Sequence, residues 1–233
     1  MNRLADQERF YRLIWELRYR LGGYRYLADC SGRMVWPQRG VYFFFESGEY
    51  RHDDSQLRVT RIGTHALKAG NKGSFWSRLR THRGKTGGSR AGGGNHRASI
   101  FRWHVGSALL NSGSFPDAEH STWYQRKADK AALESEHTIE AAVSEYIGKM
   151  PFLWLPVEDS PGRASDRGLI ERNSIALLSL AGGANRDKPS PWWLGHRATN
   201  PKVRSSGLWN VNHVDEHYDP SFLSVLEHYV ARA

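Results

Sequence analysis

Three pieces decide how the chain is read: Gly40-Val41-Tyr42-Phe43-Phe44-Phe45, then Leu57-Arg58-Val59-Thr60-Arg61-Ile62-Gly63-Thr64, then Phe75-Trp76-Ser77-Arg78-Leu79-Arg80-Thr81-His82. The first two are crowded with aromatic and β-branched residues, which pack well on a pleated surface and predict strands. Val41 to Phe45 is apolar at every position instead of alternating, so this strand is expected to be central and covered on both faces. The polar run Glu46 to Asp54 reads as the hairpin loop that joins it to its neighbour. In the third piece Ser74 can accept from the free amides of a first helical turn, which predicts a helix there. Arg78 and His82 stand four residues apart on it and so share one face.

Around this centre, Phe10, Ile14, Leu17 and Leu21 recur at helical spacing and Gly22-Gly23 ends the pattern, predicting an amphipathic packing helix over 3–21. Tyr24 to Pro37 has no clear period. Further helices are expected over 100–110, about 134–147, 165–178 and 221–230, and a third strand over 152–157, with Pro156 marking an edge or a bulge. The segment Gly84 to Arg97 is too rich in glycine to hold regular structure unaided and is expected to be mobile when free.

Composition narrows the class. A chain of 233 residues with nine Trp, ten Tyr and nine Phe can bury a sizeable core as one elaborated domain. Cys30 is the only cysteine, so no intramolecular disulfide forms and a reduced, cytoplasmic setting is expected. Acidic residues interrupt the N-terminal arginines, no apolar run precedes a cleavage-type site, and no stretch approaches a membrane span, so neither a secretory signal nor membrane insertion is expected. The net charge of +9 is local: residues 55–116 carry eleven Lys or Arg and no Asp or Glu. Such a stretch reads as a polyanion surface, with Lys72, Arg80, Arg83, Lys85, Arg90, Arg97 and Arg102 as expected phosphate contacts. The bland reading of the same run is a solvated basic face.

The order of the three central pieces resembles the GIY-YIG nuclease superfamily, whose core opens with a Gly-x-Tyr strand, continues with a Tyr-Ile-Gly strand and follows with a helix bearing Arg-Leu-x-x-His. Gly40-Val41-Tyr42 and Arg78-Leu79-Arg80-Thr81-His82 match the first and third elements. The second departs, because Arg61 stands where the family usually has its second tyrosine. The resemblance implies an α+β fold with a small, mostly antiparallel three-stranded sheet flanked by helices, a helical extension at 1–37, a core over 38–215 with an insertion at about 84–148, and a closing helix at 216–233. It implies catalysis by Tyr42, Arg61, Arg78, His82, Glu171 and Asn210, with Asn185 the competing asparagine. Glu171 would hold one divalent cation, Mg2+ or Mn2+. The implied activity is metal-dependent cleavage of DNA, double-stranded by expectation, in restriction, repair, mobile-element movement or defence; a homodimer is left open. The alternative is a nucleic-acid-binding module that keeps the fold without cleavage.

Other catalytic signatures are missing from the sequence: there is no Cys-x-x-Cys pair, no phosphate loop and no His-Glu-x-x-His. His213 and His217, beside Asp215 and Glu216, form the one local histidine cluster, a pattern met more often in surface groups than in metal sites.

Overall fold

The computed structural model describes residues 2–53, 56–89, 91–113, 115, 122–162 and 164–233. Arg90 lies outside the described residues. The chain folds as α1 (Arg3–Arg20), β1 (Arg25–Tyr26), β2 (Gly40–Tyr50), β3 (Leu57–Gly63), α2 (Phe75–Arg83), α3 (Ile100–Leu110), α4 (Lys130–Ser135), α5 (His137–Gly148), β4 (Pro151–Pro156), α6 (Asp166–Leu178), α7 (Pro201–Ser206) and α8 (Phe222–Val230). The strands form one antiparallel sheet in the order β1-β4-β2-β3. This is the expected α+β sheet with one addition, a two-residue strand that pairs only with Pro151 and Phe152. Pro156 therefore sits where β4 has no neighbour on its far side, opposite Gly40 of β2.

β2 is central, and its unbroken apolar run follows from two covered faces. Val41, Phe43 and Phe45 point into one core with Phe10, Ile14 and Leu17 of α1, Ile170 and Leu177 of α6, and Leu223 and Leu226 of α8. Tyr42 and Phe44 point into the other, with Phe75 and Leu79 of α2, Phe101 and Val105 of α3, and Val143 and Ile147 of α5. The sheet is thus the middle of three layers.

The reading of residues 46–54 as a loop is corrected. β2 runs on to Tyr50, with register shifts after Phe44 and Phe45, because its two glutamates are buried and bonded. Glu46 accepts from the indoles of Trp193, at 3.0 Å, and Trp209, at 2.6 Å, and from the Tyr146 hydroxyl. Glu49 pairs with Arg58 of β3 at 2.5 Å. The single helix expected over 134–147 is likewise two, α4 and α5, which meet at Glu136, where a buried carboxylate takes both Nη atoms of Arg97 at 2.7 and 2.8 Å.

The glycine-rich segment is not open at its base. Lys85 and Gly92 amides bond the carbonyls of Gly93 and Lys85 at 2.8 and 2.9 Å. A side chain at Gly94 would overlap the Arg102 guanidinium. Close approach, not mobility, is what glycine supplies at this position.

Candidate active site

The site starts from the two motif glycines. A Cβ on Gly40 would come within 2.5 Å of the Leu155 carbonyl oxygen, and one on Gly63 would overlap the Tyr42 ring. Tyr42 and Gly63 face each other across the β2–β3 ladder, so the absent side chain lets the phenol lie flat over β3. There its hydroxyl meets Nε2 of His82 at 2.9 Å. Ser74 caps α2 by accepting from Ser77 N at 3.2 Å, and the helix then brings Arg78 and His82 to this side of the sheet. His82 Nδ1 lies 2.8 Å from Ser99 Oγ, the N-cap of α3. Burial, with Arg78, Arg61 and Arg102 around it, pushes His82 well below its ordinary range, so the ring is neutral. It carries one donor and one acceptor.

Arg61 projects from β3 opposite Phe44 and is 6 % exposed. Its Nη1 donates to the Trp209 carbonyl at 2.5 Å, and its guanidinium carbon lies 5.0 Å from the Phe101 ring centroid. Its Nε has no partner among the described residues, and neither has Nε of Arg78. Burial lowers the Arg61 pKa, whereas the neighbouring Tyr42 and Glu171 raise it and Arg78 lowers it further.

Glu171 approaches from the other helical layer, on α6, whose start is capped by Ser165. One carboxylate oxygen accepts from Thr64 N at 3.1 Å, at the end of β3, and the other has no hydrogen bond among the described residues. Burial raises its pKa; Arg61, the Thr64 bond, His213 and Arg78 work in the opposite direction.

The edge of β3 is closed by residues 208–210. Trp209 N bonds Thr60 O at 2.8 Å, and the Asn210 amide pairs with both backbone groups of Ile62, at 3.1 and 2.8 Å, as a strand neighbour would. Asn185 lies elsewhere, donating to Leu178 O at 2.6 Å at the end of α6. Arg61, Arg78, Glu171 and Asn210 line one cleft of about 1020 Å3, while Tyr42 and His82, both 0 % exposed, are not among its lining residues.

The expected phosphate contacts divide. Lys72, Arg80 and Lys85 are exposed, and Arg83 is partly covered, with its guanidinium carbon 5.9 Å from the Trp76 ring centroid. Arg102 is corrected: it is 0 % exposed and spends its donors on Glu140, the His82 carbonyl and Ser144. Arg97 lines the cleft but is bound to Glu136, so it is not a free cation. The 213–217 cluster does not assemble: His213 bonds Glu216 at 2.8 Å, and no group of three metal-ligating side chains occurs among the described residues.

Sequence reading missed four residues of the site. Trp103, His104 and Tyr124 line the same cleft, and so does His213, whose φ is 66°. Trp123 packs behind them because Gly106 has no side chain to meet its indole. The aromatic residues around Ser99 to His104 were the available signal, but the helix over 100–110 was read only for its apolar face.

No helix among the described residues is long and apolar enough to cross a membrane. Neither a search of curated proteins nor one of solved structures found a match. A family model described as GIY-YIG domain matches residues 1–233. Gly63 packed on Tyr42, the tyrosine–histidine pair and that match over the whole length agree, and the chain belongs to the GIY-YIG family of nuclease-type domains.

Proposed function

We infer that the protein is a metal-dependent endonuclease that hydrolyses DNA phosphodiester bonds. One observation carries this reading: along a single cleft, two arginines with buried, unbonded Nε atoms meet a carboxylate with an unbonded oxygen. Unsatisfied buried donors are rare in native proteins and point to a missing acceptor, and guanidinium groups suit the oxygens of a phosphate. Arg61 and Arg78 would hold the scissile phosphate and stabilise the charge that builds on it. Asn210 positions Arg61 by bracing the strand that carries it.

The donor set fits a hard divalent cation. Mg2+ and Mn2+ take oxygen ligands, and Mg2+ in particular is often held by one or two carboxylates together with substrate phosphate, so the lack of a three-residue cage is no obstacle. Held by Glu171, such an ion would supply charge stabilisation at the phosphate oxygens. Tyr42 is the candidate acceptor of the attacking water's proton. It can serve so only as a phenolate. His82, neutral and bonded on both sides, holds the phenol in place.

The test is supercoiled plasmid with and without Mg2+, where nicking that depends on the cation is the expected result. A binding module without cleavage is the second reading, favoured by the burial of Tyr42 and by Arg61 in place of a tyrosine. Binding with no nicks under any divalent cation would establish it.

Tyr42→Phe separates the two roles of the phenol. Removing the hydroxyl leaves His82 Nε2 buried and unpaired, so a stability loss on the order of 1–3 kcal/mol is expected in either case. Loss of nicking by folded protein is expected only if the hydroxyl takes part in the chemistry. A folded variant that nicks at the parent rate returns Tyr42 to a core role.

A further inference from the structure

Two poles share the cleft. Arg61, Arg78 and Glu171 make a phosphate end, and Trp103, His104 and Tyr124 make an aromatic end built by α3 and the insertion. The rings stand edge to face: Trp103 and His104 have centroids 5.0 Å apart, and Trp103 and Tyr124 5.8 Å. Tyr124 is 42 % exposed, while His104 is 1 % exposed and neither of its ring nitrogens has a partner among the described residues. A buried imidazole with both nitrogens unbonded lowers stability, and nothing in the packing of the free protein offsets that cost. Burial and the charge of Arg61 push its pKa down to about 3, so at neutral pH it presents one donor and one acceptor. A nucleobase edge offers the complement, and its face stacks on indole and phenol rings.

In a regular duplex stacking covers the faces of the bases and leaves only their edges and the phosphates open to a protein. A site that seats a phosphate at one end and a base at the other therefore requires that base to be out of the stack. Both ends open into the one cleft of about 1020 Å3.

We propose that the aromatic end of the cleft is a nucleobase site, formed by Trp103, His104 and Tyr124, and that the substrate is DNA with an unpaired or extruded nucleotide beside the scissile phosphate. The proposal rests on the nuclease reading for its phosphate end, but its test needs no cleavage.

Binding is measured in EDTA to three DNAs carrying 2-aminopurine: fully paired, in a single-base bulge, and in a single strand. The bulge or single strand is expected to bind roughly tenfold tighter than the paired duplex, with its bright emission quenched by stacking. Preference for the bulge over the single strand assigns the extruded nucleotide of a duplex, and the reverse assigns single-stranded DNA. Trp103→Ala should restore the emission and remove that preference. His104→Leu makes the side chain apolar at similar size, so it should raise the melting temperature while it abolishes the preference. Equal affinity for all three DNAs, unchanged quenching in Trp103→Ala, or a lower melting temperature in a folded His104→Leu protein would each overturn the proposal. Because cleavage is read separately on plasmid, a protein that nicks but shows no base preference loses only this inference, and one that shows the preference without nicking keeps it.

Discussion

Arg102→Ala is expected to cost roughly 3–5 kcal/mol of stability, because it leaves Glu140 charged in the interior with its principal partner gone. Glu140 is 5 % exposed and accepts from Arg102 Nε at 3.1 Å, Arg102 Nη2 at 2.5 Å, His96 N at 2.6 Å and His96 Nδ1 at 2.9 Å. Burial alone would raise its pKa, but the His96 bonds and the Arg102 charge outweigh it and hold the carboxyl below its ordinary range. A depressed carboxylate adds stability that is present above its unfolded pKa and lost as pH falls through the folded one. The parent should therefore weaken on acidification in that window, and Arg102→Ala should weaken less steeply. Arg102 also donates to the His82 carbonyl at 2.8 Å, so its removal frees the end of the helix that carries Arg78 and His82. Urea unfolding of the single variant and of Arg102→Met with Glu140→Met decides the matter. The paired replacement is expected to recover most of the loss, since it removes both charges. A single-variant loss under about 1 kcal/mol would show instead that the carboxylate is adequately served by His96.

That pair shows where sequence reading reached and where it stopped. The strands, the capped helix and the motif glycines were legible because each is a local rule: apolar runs, a serine before a helix, a glycine where a neighbour's ring must lie. The run of residues 55–116 without acid holds less free charge than its composition suggests, because charge balance is spatial. Arg58, Arg97 and Arg102 all lie in that run, yet each is paired with a glutamate outside it: Glu49, Glu136 and Glu140. Glu46 and Glu49 were read as loop for the same reason, since their partners lie about a hundred residues or more away, or on the next strand. The site was legible as far as the motif extends. Thr64 N on Glu171, Asn210 on Ile62 and the unbonded imidazole of His104 are products of tertiary placement, and no spacing in the chain announces them.

Glu171→Gln is expected to abolish Mg2+-dependent nicking, by at least roughly a hundredfold, while DNA binding persists or tightens. The amide oxygen can still accept from Thr64 N, so the junction between β3 and α6 is preserved. What disappears is the only carboxylate among the described residues that line the cleft, and with it the charge that would hold a cation among Arg61, Arg78 and His213. Binding survives because both arginines remain, and one negative charge beside the phosphate has gone. Stability gives an independent reading. Burial raises the Glu171 pKa, so the ionised carboxylate is disfavoured in the free protein, and a neutral amide of the same shape should melt at the same temperature or higher. A glutamate serving only to fasten α6 to β3 predicts the reverse, a lower melting temperature with nicking close to the parent's. The measurement is therefore threefold on one preparation: plasmid nicking over a Mg2+ titration, equilibrium binding in EDTA, and thermal unfolding. Retained nicking at ordinary Mg2+ would remove Glu171 from the chemistry, whereas lost nicking with intact binding and an unchanged or raised melting point assigns it the cation.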